Sequence, residues 1–274
     1  MRSPKFEMNQ EFLHQFFSVL DELAVELLRL RQQPLAVEHK VGVGSQAALV
    51  TAADTYADTF LRTELKKRFP NIGFITEEGA NHAEEEYVWV IDPIDGTNNY
   101  AHGLDMFGVS IGLWNQDGSS IFGCIDLPAR HSRIWGGKGM GVWLDGAQIQ
   151  SQGPLYPEKP LVLLAPIWTD STQASEVSKA LADRVGHTRD HGSSSWQSYL
   201  VLTGKSEAAL HFRLSIWDIG AAIPLAQELG LSVVFSQANQ LEKLLQSFQS
   251  PVTVAIGHGD LPQELISAVE PWAA

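Results

Sequence analysis

The chain has 274 residues, of which 44% are hydrophobic and 19% are charged, and its formal net charge is −13 at pH 7. This composition is globular and sufficient for one large domain or two packed halves, and the acidic charge argues against nucleic acid or an anionic membrane as the main partner. The single cysteine, Cys124, excludes an intrachain disulfide and a thiolate metal cluster. The first residues lack the apolar region of a secretory signal, and no apolar run has the ~20 residues of a membrane span, so we expect a cytoplasmic protein.

Helical periodicity dominates the first seventy residues. Apolar side chains recur at three- and four-residue steps from Phe12 to Leu28, and Asn9 precedes them as a candidate cap. A short apolar run then ends in the acidic pair Glu77-Glu78. The predicted elements are a helix over 12–28, a mobile loop over 36–48, a helix over 53–69 and a strand over 74–76.

The period changes to two at Tyr87. Short apolar runs separated by glycine and Asp-Gly turns predict an antiparallel sheet. The predicted strands cover 87–91, 107–113, 120–127 and 132–135, with the meander continuing over 138–146.

An α/β pattern begins near Leu161. The predicted strands cover 161–165, 208–212, 232–235 and 252–256, and the predicted helices cover 174–185, 194–202, 218–229 and 261–269. Pro154, Pro157 and Pro160 mark a boundary. We therefore expect an N-terminal α+β half, 1–153, and a C-terminal α/β half, 154–274, in one compact unit.

The segment VIDPIDGTNNY, 90–100, is the most informative part of the sequence. Asp92 and Asp95 follow an apolar run, with Pro93 between them and Gly96-Thr97 directly after. Two carboxylates held in one short turn repel each other, and a bound divalent metal relieves that repulsion. The Gly-Thr backbone donors favour a phosphate. Asp-Pro and Asp-Gly also form ordinary turns, so a tight loop without a site is the alternative.

Three further acidic positions fall at the ends of predicted elements, where active-site residues tend to collect. Asp54 begins the second helix, Glu77 ends a strand, and Asp218 begins a helix in the stretch IWDIGAA. Each has a simpler interpretation, because aspartates commonly cap helices and Glu77-Glu78 can be two solvated charges. A metal site requires these residues to converge in space.

Four segments together resemble the signature segments of the inositol monophosphatase family. They are ALVTAAD (48–54), FITEEG (74–79), WVIDPIDGTNNY (89–100) and WDIGAA (217–222). The resemblance implies a layered α/β/α/β/α sandwich and a Mg²⁺-dependent, lithium-sensitive phosphomonoesterase that forms homodimers. The implied partner is a small phosphorylated substrate, with neither nucleic acid nor membrane.

The resemblance also implies roles for individual residues. Asp92 would bridge two metal ions, with Glu77 and the Ile94 carbonyl on the first and Asp95 and Asp218 on the second. All-oxygen ligation of this kind suits Mg²⁺. Glu77, Thr97 and Asp54 are the implied catalytic residues, because Thr97 would hold the attacking water and Asp54 would orient Thr97. Asp95 and the Gly96 and Thr97 N–H groups would contact the substrate, and Glu78 would be a structural or outer-shell group.

One departure from the family pattern and one further resemblance bear on the substrate. Animal inositol monophosphatases carry a glutamate seven residues before the Trp-Asp aspartate, where this chain has His211, with Arg213 nearby. Those side chains suit a second anionic or carbonyl-bearing group, although a solvated strand edge is the alternative. Ser194, in the GSSS stretch at 192–195, is a further candidate substrate contact.

The sequence thus predicts hydrolysis of a small polyol or sugar phosphate. Three other substrates fit the same chemistry: 3′-phosphoadenosine 5′-phosphate, fructose 1,6-bisphosphate and histidinol phosphate. A regulatory or binding protein that keeps the fold without turnover is the alternative from another class.

Overall fold

Two β-sheets form the framework of the fold. The computed structural model describes residues 8–33, 37–39, 49–79, 81, 83–166, 171–237, 245, 248 and 250–273. In the first part of the chain the elements are α1 (Gln10–Leu30), β1 (Val37–His39), β2 (Leu49–Thr51), α2 (Ala52–Arg68), β3 (Ile72–Thr76), β4 (Tyr87–Asp95), α3 (Thr97–Ala101), β5 (Gly108–Asn115), β6 (Ser120–Leu127), β7 (Ser132–Gly137), β8 (Gly141–Leu144) and β9 (Ala147–Ile149).

The second part of the chain alternates strands and helices. Its elements are β10 (Leu161–Pro166), α4 (Ser171–Leu181), β11 (His187–Arg189), α5 (Ser194–Leu202), β12 (Ala208–Leu214), α6 (Ile216–Ile219), α7 (Ala222–Glu228), β13 (Ser232–Phe235), β14 (Val252–Gly257) and α8 (Leu261–Val269). Short 3₁₀ turns cover Pro128–Arg130 and Glu270–Trp272.

The larger sheet follows chain order and the smaller one does not. The seven strands β3 to β9 lie side by side in sequence, antiparallel except for the parallel pair β3–β4. The five-stranded sheet has the order β11-β10-β12-β14-β13, with β10 parallel to both of its neighbours. The prediction of an antiparallel meander from Tyr87 is confirmed. The predicted boundary falls between β9 and β10, and the division into two halves stays a prediction.

Alternating side chains along the strands assign the two faces of the larger sheet to different cores. On β4, Trp89 and Ile91 pack with α1 and α2, whereas Val88 and Val90 pack with α6 and α7. The smaller sheet covers the other side of α5 to α7, and its outer face packs against α4 and α8. The layers are therefore α/β/α/β/α, as predicted.

Most element bounds agree with the sequence prediction. The cap of α1 is confirmed, because the Asn9 side chain accepts a hydrogen bond from the Phe12 N–H at 2.9 Å. The predicted loop over 36–48 was wrong at Val37–His39, which pair with β2, and 36 and 40–48 lie outside the described residues. The single helix predicted over 218–229 is two short helices, α6 and α7, and β11 was not predicted.

Candidate active site

The DPID segment lies within β4 and not in a turn after it, which corrects the sequence prediction. Asp92 pairs with Ser110 and Asp95 pairs with Gly108, so three steps along β4 match two along β5. The extra residue makes a β-bulge, which bends a strand and re-aims its side chains. Pro93 lies in this interval and has no N–H to give to the ladder. The proline that suggested a turn therefore marks the bulge that places both carboxylates.

Asp218 completes a cluster of three carboxylates. One oxygen each from Asp92, Asp95 and Asp218 lies within 4.8 Å of the others. Asp218 is the third residue of α6, and its carboxylate accepts a hydrogen bond from the Ser215 N–H at 2.8 Å. Asp218 therefore lies close to Asp92 and Asp95 in space, as a metal site requires.

Close backbone packing brings α6 to the sheet. A Cβ on Gly112 would lie 2.4 Å from the Gly220 carbonyl oxygen, and one on Gly123 would lie 2.1 Å from the Ala221 carbonyl oxygen. The Trp114 indole N–H donates to the Gly220 oxygen at 2.9 Å. The small residues after Asp218 therefore permit close packing in this chain.

The electrostatics of the cluster favour a cation. Burial raises the pKa of Asp92 well above its usual range, and the negative charges of Glu77 and Asp95 raise it further. Burial, Asp95 and Glu77 raise the pKa of Asp218 in the same way. These shifts mean that the ionised carboxylates repel one another in a poorly solvated space. A bound divalent cation would replace that repulsion with attraction.

Thr97 and Asp54 meet beside the cluster. The Thr97 hydroxyl lies 2.9 Å from Asp54 Oδ1 and 3.0 Å from the Ile94 carbonyl oxygen. Asp54 is the third residue of α2 and only 2% exposed. A capping aspartate bonds the backbone of its own helix, whereas Asp54 contacts the side chain of Thr97. The two residues that the sequence analysis paired are therefore in contact.

Glu77 lies close to the cluster without belonging to its closest group. Its N–H donates to the Ile91 carbonyl at 3.3 Å, which extends the β3–β4 pairing, and its charge acts on both Asp92 and Asp218. Glu77 and Glu78 are both partly buried. The roles of Glu77 in metal binding and of Glu78 as a structural group stay predictions.

Gly96 has a conformation and surroundings that favour glycine. Its φ is +87°, in the left-handed region, and a Cβ would lie 2.9 Å from the Ser193 Cβ. It caps α3, whose first N–H groups have no acceptor within the helix. The turn therefore brings the DPIDGT segment against the start of α5.

Three consecutive serines at the start of α5 hold Asp95. Asp95 Oδ1 accepts from the Ser194 N–H at 3.1 Å and from the Ser194 hydroxyl at 2.8 Å. Asp95 Oδ2 accepts from the Ser193 hydroxyl at 2.5 Å and from the Ser195 N–H. Sequence reasoning identified Ser194 but missed the other two serines, although the GSSS run contained them.

Asn99 is a second residue that sequence reasoning missed. Its side-chain amide donates to the Met106 carbonyl at 2.6 Å and to the His191 carbonyl at 2.7 Å. It therefore ties the segment after α3 to the segment before α5. The doubled asparagine of the TNNY motif was the available signal.

His211 is enclosed between β12 and α5. Its side chain is 0% exposed, and Nε2 lies 3.3 Å from the Ser198 hydroxyl. Burial lowers its pKa to about 4, so the imidazole is neutral at pH 7. Complete burial excludes the solvated strand edge for His211, and neutrality excludes a positive charge there.

Arg213 lies next to His211 at an irregularity of β12. The pairing with β14 shifts between His211 and Leu214, and Arg213 has a φ of +57°. Its N–H donates to the Thr253 hydroxyl at 3.2 Å, and the side chain is partly buried. The contacts of His211 and Arg213 with a substrate stay predictions.

Comparisons with known proteins agree with this geometry. The sequence model of the inositol monophosphatase family matches residues 8–270. Inositol monophosphatase 2 of Mus musculus is 29% identical over 237 residues, which cover 82% of this chain and 81% of that protein. A histidinol-phosphatase of Chlorobaculum parvum is 30% identical over 190 residues, covering 66% of this chain and 70% of that protein.

A solved structure extends the likeness to the fold. An IMPase/NADP phosphatase complexed with Mg²⁺ and phosphate superposes with a TM-score of 0.81 at 18% identity, covering 95% of each chain. The likenesses define a phosphomonoesterase class with a mixed α/β fold of two sheets. The chain belongs to the inositol monophosphatase family. Among the helices that the structure describes, none is long and apolar enough to cross a membrane.

Proposed function

We propose that this chain hydrolyses a small polyol or sugar phosphate with Mg²⁺ as its cofactor and water as the nucleophile. The observation that carries the proposal is the buried group of Asp92, Asp95 and Asp218 beside the Thr97–Asp54 contact. Non-catalytic use of the fold would not require a hydroxyl–carboxylate pair next to a metal-competent cluster.

The donor set fits Mg²⁺. All three clustered side chains offer carboxylate oxygens, which are the ligands that hard divalent cations prefer. Asp92, Asp95 and Asp218 would hold the ion, with Glu77 and the Ile94 carbonyl as the proposed further ligands. When bound, Mg²⁺ would lower the pKa of coordinated water and stabilise the negative charge on the phosphate and on the leaving oxygen.

Thr97 orients the attacking water in this proposal. Its hydroxyl has one proton for two acceptors, the Asp54 carboxylate and the Ile94 carbonyl. When that proton points to Asp54, the lone pairs of Thr97 Oγ1 are available to accept a hydrogen bond from water. Asp54 thus fixes the direction of the hydroxyl, and Thr97 fixes the direction of the water.

The phosphate would lie against the Gly96-Thr97 turn. The N–H groups at the start of α3 favour an anion there, while Ser194, His211 and Arg213 are proposed on the substrate side. His211 would contribute a neutral hydrogen-bonding ring, since its pKa of about 4 removes its charge at pH 7. Homodimer formation, lithium inhibition and a cytoplasmic location belong to the same proposal.

A phosphatase assay with and without Mg²⁺ tests the proposal. We expect release of phosphate only with Mg²⁺, and Thr97→Ala should lower kcat by about 10²-fold or more, the order of loss expected when a reactant is no longer positioned. Thr97→Ser keeps the hydroxyl and is the matched control, which should retain most of the activity. Metal-independent turnover, or full activity in Thr97→Ala, would overturn the proposed mechanism.

The substrate requires a panel. Inositol 1-phosphate is compared with fructose 1,6-bisphosphate, histidinol phosphate and 3′-phosphoadenosine 5′-phosphate at equal Mg²⁺. One relative bears the name histidinol-phosphatase and another the name fructose-1,6-bisphosphatase/inositol-1-monophosphatase, so both chemistries belong in the panel. The highest kcat/KM identifies the substrate class, and a preference for a substrate with a second anionic group would support the assignment of Arg213.

A further inference from the structure

Asp95 is fully occupied by hydrogen bonds within the protein. A carboxylate offers about four lone-pair positions, and Asp95 accepts four hydrogen bonds, two on each oxygen. Each oxygen accepts one backbone N–H and one serine hydroxyl. Since Asp95 is also a member of the carboxylate cluster, a metal ion that takes one of its oxygens must compete with a donor already there.

The hydroxyl groups are the donors that can give way. The N–H groups of Ser194 and Ser195 are fixed by the backbone at the start of α5, whereas a hydroxyl can rotate away. The Ser193 hydroxyl has a second task, because it accepts the Trp196 N–H at 3.1 Å as the cap of α5. Among the described residues, the Ser194 hydroxyl contacts Asp95 alone, and its 2.8 Å bond is longer than the 2.5 Å bond of Ser193.

We propose that the Ser194 hydroxyl competes with the second metal ion for Asp95 Oδ1 and so weakens the binding of that ion. Ser194 is then a positioning residue that acts through Asp95. When the ion is bound, the released hydroxyl is free to donate to the substrate, which couples metal binding to substrate binding. This inference rests on the proposed function, since it assumes that the cluster holds Mg²⁺.

Calorimetric titration of the whole chain with Mg²⁺ tests the competition. Ser194→Ala keeps the backbone N–H on Asp95 and removes only the hydroxyl. Loss of one hydrogen bond to a charged group should lower the Kd of the second Mg²⁺ ion by about tenfold. The Mg²⁺ concentration for half-maximal hydrolysis should fall together with this Kd. If the Ser194 hydroxyl served only the structure, its loss would instead weaken Mg²⁺ binding.

Ser195→Ala is the matched control. Its backbone N–H also donates to Asp95, but its buried hydroxyl has no hydrogen-bond partner among the described residues, so Mg²⁺ affinity should stay as in the parent. Ser194→Thr restores a hydroxyl and should return the affinity toward that of the parent. Thermal unfolding of each variant shows whether it is folded.

The outcomes separate this inference from the proposed function. If the parent binds Mg²⁺ at two sites and hydrolyses phosphate, but Ser194→Ala binds the second ion with equal or lower affinity, the competition is wrong and the function stands. If the parent shows neither Mg²⁺ binding nor metal-dependent hydrolysis, both fail.

Discussion

A single buried histidine links the substrate side of the site to the stability of the fold. His211 has no solvent exposure, and the neighbours that enclose it are the Ser198 hydroxyl of α5 and the strands β10 and β14. Its neighbours on β12, Leu210 and Phe212, point into the outer core. Because successive side chains of a strand point to opposite faces, His211 points toward the middle helical layer. An imidazole in that layer loses its hydration and resists protonation.

Acid should therefore destabilise the protein through His211. In the unfolded chain a histidine titrates near 6.5, whereas the pKa of His211 in the fold is about 4. As the pH falls, the unfolded state binds the proton first. The contribution of His211 to stability is therefore fully present above about pH 6.5 and is lost as the pH falls toward 4. Between pH 7 and pH 5 the free energy of unfolding should fall by about 2 kcal/mol from this residue.

Urea unfolding of His211→Gln at both pH values measures this contribution. Glutamine keeps a neutral hydrogen-bonding side chain that does not titrate. The free energy of unfolding should therefore fall by about 2 kcal/mol less between pH 7 and pH 5 than in the parent. His187→Gln, on the exposed strand β11, removes a histidine without touching the core and serves as the control. An identical pH dependence in parent and His211→Gln would contradict the assignment.

At the scale of elements, the position of Asp218 depends on how closely α6 and α7 approach the large sheet. Gly112 on β5 and Gly123 on β6 have no room for a Cβ because carbonyl oxygens of the α6–α7 junction lie against them. Gly220 and Ala221, which provide those oxygens, follow Asp218 by two and three residues. The approach of the backbone thus sets where the carboxylate lies.

Gly123→Ala should weaken both the fold and the metal site. The new Cβ would lie 2.1 Å from the Ala221 oxygen, so the helix must shift, at a cost on the order of 1–3 kcal/mol in the free energy of unfolding. Because Asp218 moves with the helix, Mg²⁺ affinity should fall too. Val25→Ala, at a 69% exposed position of α1, is the control for a surface change. Unchanged stability and Mg²⁺ affinity in Gly123→Ala would show that the junction is not tightly packed.

Element prediction succeeded where periodicity was strong and failed where tertiary contacts decide. The limits of α5, β13 and α8 were predicted to the residue, because the apolar spacing specifies them locally. The bulge in β4 was predicted as a turn, since Asp-Pro has the same local preference in both and only pairing with β5 distinguishes them. The serine contacts of Asp95 join residues about a hundred positions apart, which no local pattern contains.

At the scale of the whole molecule, the site joins the two parts of the chain. Asp54, Asp92 and Asp95 come from before the proline-rich segment at 154–160, whereas the serine run and Asp218 come from after it. The carboxylates meet where the larger sheet and the middle helical layer are in contact. A cation held there would bind only the folded chain and would link both parts.

Mg²⁺ should therefore stabilise the entire fold. A ligand at a hundred times its Kd adds about 2.7 kcal/mol to the free energy of unfolding, which corresponds to a rise in Tm of about 5 °C or more for a chain of this size. Differential scanning fluorimetry with and without Mg²⁺ measures the shift. Asp183→Asn, an exposed aspartate away from the cluster, controls for the loss of one negative charge and should keep the shift.

Asp92→Asn should have opposite effects in the two conditions. Burial and the negative charges of Glu77 and Asp95 raise the pKa of Asp92, so its ionised form is unfavourable in the metal-free fold. The substitution removes that cost, so Tm without metal should rise above that of the parent. The asparagine side-chain oxygen can still accept the Ile94 N–H, which Asp92 Oδ1 accepts at 3.1 Å, so the bulge is kept. With Mg²⁺, the variant should gain little, because one carboxylate of the proposed metal site is gone. A metal-free Tm below that of the parent together with a full Mg²⁺ shift would mean that Asp92 serves the fold and not the cation, and the site would have to be assigned without it.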